Sequence, residues 1–159
     1  MSRTVILIRH AQSSGTRADR HKWGPGGSQL TEEGIRQAKL LRERLQELGV
    51  DSAITPVAIS SLHRTRQTAE YAGFQQLNVN PILDEVETGI EADALEKMLN
   101  EGQLPEAAIA RAHAVLDNAP SDSVWVTHGL LIAGIAHVLG MEPGTVLVPE
   151  MAGILRITI

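Results

Sequence analysis

The 159-residue chain has no cysteine, which excludes disulfides and thiolate metal sites alike. It has no apolar run near the ~20 residues that a membrane-spanning helix needs. The run closest to the start covers only Val5 to Ile8 and has no small-residue cleavage site after it, so no signal peptide is expected. Internal repeats and low-complexity tracts are missing too. Nor is there a surplus of positive charge. With 14 Lys and Arg against 19 Asp and Glu, the net charge of −5 argues against nucleic acid as a partner. What remains is the expectation of a soluble, cytoplasmic chain without membrane contact. Its 43% apolar content can build one core, read as a single domain over residues 1–159.

The charge that is present is unevenly spread. Residues 1–66 carry 11 Lys/Arg against 6 Asp/Glu, whereas residues 67–159 carry 3 against 13. A basic half inside an acidic protein suggests a local anion site. The most informative stretch lies in that half: Val5-Ile6-Leu7-Ile8 runs directly into Arg9-His10. Four branched apolar residues bounded by charge read as a buried strand, and Arg9 and His10 then stand at its end. That is where ligands bind in open α/β sheets.

Further along, Ser14 to Gln29 read as a long loop, rich in Gly and containing Arg17, Arg20, His21 and Lys22. Thr31 is a good N-cap, and Ala38, Leu41, Leu45 and Leu48 form one apolar stripe of a helix ending at Gly49. Val57–Ser60 read as a second strand, Leu62 to about Gly73 as a helix, and Pro81–Leu83 as a third strand. Two helical segments fall between Ala92 and Asn118, broken near Gly102 and Pro105. Ser123–Thr127 form a strand and Leu130–Leu139 a helix, with two last strands at Thr145–Val148 and Gly153–Ile159. This alternation predicts an α/β fold, three layers around a mostly parallel sheet.

Chemistry-bearing residues recur at the strand ends: Arg9-His10, then Ser60 to Ala69 with Arg64, then Asp84-Glu85, then Thr127-His128-Gly129. Ends of parallel strands share one rim, so these groups can meet although they are distant in sequence. A guanidinium holds phosphate oxygens bidentately, and an imidazole can attack phosphorus.

These segments resemble the histidine phosphatase superfamily, which includes the cofactor-dependent phosphoglycerate mutases. Arg9-His10-Ala11 resembles the family's Arg-His-Gly. Leu30-Thr31-Glu32-Glu33-Gly34-Ile35-Arg36-Gln37-Ala38 is similar to its Leu-Thr-x-x-Gly-x-x-Gln-Ala. Ser60 to Ala69, Leu83-Asp84-Glu85 with Gly89, and Thr127-His128-Gly129 follow in the family's order. The resemblance implies a phosphoglycerate mutase-like fold and a metal-independent phosphomonoester phosphatase. His10 would form the phosphohistidine, and Glu85 would be general acid and base, with Asp84 and Glu87 as open alternatives. Arg9, Arg64, His128, Thr16 and Gly129 would bind phosphate. A His10–His128–Glu85 metal site competes with this reading, but two arginines there would repel a cation; no metal or other cofactor is expected.

Three positions depart from the family pattern: Ala11 stands for Gly, Gln12-Ser13 for Glu-Thr, and Thr16 for a phosphate-touching Asn. The segment between Glu85 and His128 is short beside the mutases. A short cover favours hydrolysis and admits either a phosphorylated small molecule or a phosphoprotein as substrate. Alternatives are a phosphohistidine phosphatase, a phosphoglycerate mutase and a catalytically silent phospho-ligand module. Oligomeric state is left open.

Overall fold

The computed structural model describes residues 2–14, 24–141 and 147–159. Five strands form one sheet in the order β3-β2-β4-β1-β5. They are β1 (Thr4–Arg9), β2 (Val57–Ile59), β3 (Leu77–Val79), β4 (Val124–Thr127) and β5 (Ile154–Thr158). Every pairing is parallel except that of β5, which runs antiparallel along β1 from Thr4↔Thr158 to Ile8↔Ile154.

The apolar run of β1 serves two cores, one on each face. Val5 and Leu7 join Trp125 and Ala58 against helices α4 (Glu106–Asp117) and α5 (Gly129–Val138). Ile6 and Ile8 join Val57, Ile59, Val124 and Val126 against α1 (Glu32–Glu47) and α2 (His63–Tyr71). A parallel strand covered on both faces reads as an unbroken hydrophobic run, and this is the three-layer α/β/α architecture anticipated. Helix α3 (Ala92–Asn100) packs on the first core through Leu99.

Local chemistry sets the element ends. The Thr31 hydroxyl accepts the Gly34 amide at 3.0 Å and caps α1, whose first turn carries Glu32 and Glu33. Ala38, Leu41 and Leu45 are buried as the stripe requires, but Leu48 is 39% exposed, beyond the last turn.

Two expectations need correction. Pro81–Leu83 form a 3₁₀ turn, not a strand: the Asn80 side chain accepts the Ile82 amide, and Leu83 N–H returns to Asn80 C=O. Pro81 has no N–H for a ladder, and the third strand lies upstream at Leu77–Val79, a short edge strand with Asn78 and Val79 exposed. Leu147 and Val148 make a bend rather than a strand, while Thr145 lies outside the described residues. Among the described residues no helix is long and apolar enough to cross a membrane.

Candidate active site

Register brings the predicted residues together. Ile8, Val126 and Ile59 lie side by side in β1, β4 and β2, so each chain leaves the sheet at the same level. Arg9 pairs with Thr127, His10 N–H donates to Thr127 C=O at 3.0 Å, and Ser60 follows Ile59. The His10 and His128 rings meet edge to face with centroids 5.1 Å apart.

His10 is 6% exposed, and its Nδ1–H donates to Ala11 C=O at 2.7 Å. That bond selects the tautomer and leaves the lone pair on Nε2. Burial, with the Arg64 and Arg9 charges adding to it, lowers the His10 pKa to about 3 despite the opposing Ala11 bond. His128 is fully buried, and burial followed by His10, Arg64 and Arg9 holds its pKa well below the usual value. Two neutral imidazoles beside two guanidiniums form a pocket that favours an anion. The Arg9 Nη1 donates to Pro149 C=O at 2.7 Å, and its buried Nε, like the buried Nδ1 of His128, has no partner among the described residues. Buried polar groups without partners ask for an explanation, and a bound anion would provide one.

The loop after β1 is clamped by the motif residues of α1 and α2. Gln37 Oε1 accepts the Gln12 amide at 3.0 Å, and the Thr31 hydroxyl donates to Gln12 Oε1 at 2.7 Å. A Cβ on Gly34 would lie 2.0 Å from Gln12 C=O, so the loop's closeness to α1 needs glycine there. Thr68 Oγ1 accepts the Ala11 amide while donating to Arg64 C=O, which joins the His10 loop to the turn carrying Arg64. Ala11 does not have a positive φ, so its methyl group in place of the family's Gly brings no backbone strain. The backbone amide and side-chain oxygen of Gln12 are thus both tied into the scaffold.

Beyond the histidines, a cleft of about 440 Å³ is lined by Gly24, Leu62, Arg64, Glu85, Val86 and Arg111, among others. Geometry separates the acids. Asp84 accepts from Ser61 N–H at 2.7 Å and Ser61 Oγ at 2.6 Å, so its carboxylate holds the β2–α2 turn. Glu85 accepts its neighbour Val86 N–H at 2.9 Å and stands close enough to Arg9 to act on it electrostatically. Glu87 also lines the cleft. Gly129 lies under Arg9: a Cβ there would fall 2.8 Å from Arg9 Nε. Thr16 and the cations of its loop fall outside the described residues.

Sequence reasoning missed three groups. Ser60 Oγ lies 2.9 Å from His128 Nε2, Thr68 ties α2 to Ala11, and Arg111 donates from α4 to Asp84 C=O at 3.0 Å beside Glu85. Arg111 could have been noticed as one of three basic residues in the acidic half. His113 and His137 sit on α4 and α5, and the His63 ring packs on Gly26. Among the described residues no group of three or more acids and histidines is placed to hold a metal ion.

This fold, with imidazole and guanidinium groups gathered at the strand ends, is that of the phosphoglycerate mutase-like α/β proteins. The family model of the histidine phosphatase superfamily (branch 1) matches residues 5–153, and the chain belongs to that superfamily. It is 30% identical over 163 residues to the probable phosphoglycerate mutase GpmB of Yersinia pestis (strain Pestoides F), covering 85% of this chain and 74% of that protein. The structure of TTHB049 from Thermus thermophilus superposes with a TM-score of 0.69 at 21% identity, over 98% of this chain and 93% of the other. A phosphoserine phosphatase from Entamoeba histolytica, solved with 3-phosphoglyceric acid, gives 0.67 at 22% identity, over 96% and 89%.

Proposed function

We propose that this protein is a metal-independent phosphomonoester phosphatase working through a phosphohistidine at His10, and that residues 1–159 form one catalytic domain. The observation that carries it is the Nδ1–H bond of His10 to Ala11 C=O, which aims a neutral Nε2 lone pair among Arg9, Arg64 and His128.

In this reading Arg9, Arg64 and His128 hold the non-bridging oxygens, where transition-state charge is spread. Nε2 forms the N–P bond as the P–O bond to the leaving alcohol breaks. Glu85 gives its proton to that oxygen, then takes one from the attacking water as the N–P bond breaks, and so returns to its starting state. Gly129 lets Arg9 lie flat against the start of α5. The short segment between Glu85 and His128 supports hydrolysis over mutase chemistry, because a mutase must keep water from the phosphohistidine. The name of the Entamoeba relative favours the same reading.

The test is p-nitrophenyl phosphate hydrolysis with excess chelator, wild type against His10→Ala. Chelator-resistant turnover that falls at least about 10⁴-fold in the variant is expected, by analogy with loss of other catalytic nucleophiles. Equal rates in the two proteins would remove His10 from the mechanism. Acid-labile, base-stable radiolabel on the wild type from a labelled substrate would identify the intermediate.

A further inference from the structure

Ser60 and Thr65 lie behind His128, and their hydroxyl protons decide what His128 offers a ligand. Thr65 Oγ1 is 2.9 Å from Leu62 C=O, 3.2 Å from Ser60 C=O and 2.8 Å from Ser60 Oγ. Ser60 Oγ is 2.9 Å from His128 Nε2 and accepts Leu62 N–H at 3.3 Å. If Thr65 donates to Leu62 C=O, Ser60 must donate to Thr65 Oγ1, and the proton between Ser60 and the ring belongs to Nε2. If Thr65 instead donates to Ser60 and Ser60 to the ring, one hydrogen bond to a backbone carbonyl is lost. That second arrangement also leaves a buried N–H at Nδ1 without a partner, and orphaned donors are rarer in proteins than orphaned acceptors.

We infer that Ser60 keeps the proton of ligand-free His128 on Nε2, so that a phosphoryl group reaching Nδ1 binds together with one proton and leaves His128 an imidazolium. The inference rests on the phosphate-binding role proposed above for His128. The Ser60–Thr65 chain ends on a carbonyl and cannot deliver a proton to Nδ1; the proton comes from the phosphate monoanion itself or from solvent. In the complex Nε2–H still donates to Ser60 Oγ and Nδ1–H donates to a phosphate oxygen. Facing His128 are Arg9 and His10 from the end of β1 and Arg64 from α2, with Glu85 beside Arg9; α5 adds the apolar Leu130 and Leu131. Burial first, and then the two arginines, keep the ring neutral until an anion offsets them. Ser60 is thus a positioning residue that makes the enzyme prefer a protonated phosphate.

The experiment combines ¹⁵N NMR of histidine-labelled protein with calorimetric titration of inorganic phosphate, in the wild type, Ser60→Ala and His10→Asn. In the ligand-free wild type, His128 should show a bare Nδ1 and a protonated Nε2. With phosphate both nitrogens should be protonated. Above about pH 8.5, where inorganic phosphate is a dianion, the wild-type Kd should rise about tenfold per pH unit, as linkage to one proton demands. His10→Asn should keep that slope, and Ser60→Ala should flatten it, since a neutral ring can then carry its proton on Nδ1. A ligand-free proton on Nδ1, a flat wild-type profile, a slope lost with His10, or a slope kept without Ser60 would each overturn the inference. Failure of phosphate to bind at all would count against the proposed function instead, and the ligand-free spectrum would still decide the tautomer.

Discussion

The two ends of the cleft are built differently. At the phosphate-type end, Arg9, His10, Ser60 and His128 follow directly from three adjacent parallel strands, and backbone groups or buried hydroxyls hold them. At the other end, Glu85, Val86 and Arg111 sit on a turn after a 3₁₀ segment and on a helix, facing the Gly24–Gly27 loop. Strands set atomic positions through an uninterrupted ladder, while turns are set by a few side-chain bonds such as Asp84 to Ser61. In the proposed reaction, chemistry common to all substrates falls at the rigid end, and choice of leaving group at the adaptable one.

Substitutions can break that contrast. After His10→Ala, the largest effect is expected from Glu85→Gln, which should cut turnover of alkyl phosphates about 10²–10⁴-fold, as loss of a general acid does. Loss on p-nitrophenyl phosphate should be much smaller, because its leaving group needs little proton help. Asp84→Asn should instead act on stability, by about 0.5–1.5 kcal/mol for the disturbed, exposed Ser61 bonds, with the ratio of the two substrates unchanged. Equal losses on both substrates for Glu85→Gln would move the acid elsewhere.

Gly34→Ala probes the rigid end. Its methyl group would push on the Gln12 carbonyl, and overpacking of this kind costs about 1–3 kcal/mol or more. Thermal unfolding should show that loss, and turnover should fall because the His10 loop has shifted. An unchanged melting temperature would mean that the loop yields freely.

A pH experiment sharpens the same point. Unfolded His10 takes up its proton near 6.5, but folded His10 only near 3, because burial and then the arginines disfavour the cation. Between those values the unfolded state binds more protons, so stability falls as pH drops from about 6.5 toward 3 and is level above. His10→Asn removes one such group, and its urea midpoint should therefore decline less between pH 7 and 4.5 than the wild type's. An equal decline would show that His10 is not held neutral. The smallest effect belongs to Leu48→Ser, which should stay within about 0.5 kcal/mol, as exposed positions do; a larger loss of melting temperature would place Leu48 in the core.

Much of the rigid end is legible in the chain. Val5–Ile8 announce a strand covered on both faces, and the order of the Arg9-His10, Arg64, Glu85 and Thr127-His128 segments points to one rim. The third strand is not legible, because Pro81–Leu83 look apolar and extended while the true strand carries almost no periodic signal. It is a three-residue edge strand with two exposed side chains. Leu147 and Val148 mislead for a similar reason, since a short apolar run does not distinguish a bend from a ladder.

Local spacing and residue type sufficed for most of the strand and helix sequence, the α/β class and the set of groups gathered at the strand ends, because periodicity and capping act within a few residues. They could not separate Asp84 from Glu85, assign Gln37, Thr68 and Gly34 to the clamp on the His10 loop, or place Ser60 behind His128. Those assignments depend on distances between atoms up to 68 positions apart in the chain, and parallel pairing with its long crossovers creates such distances only when the sheet is assembled.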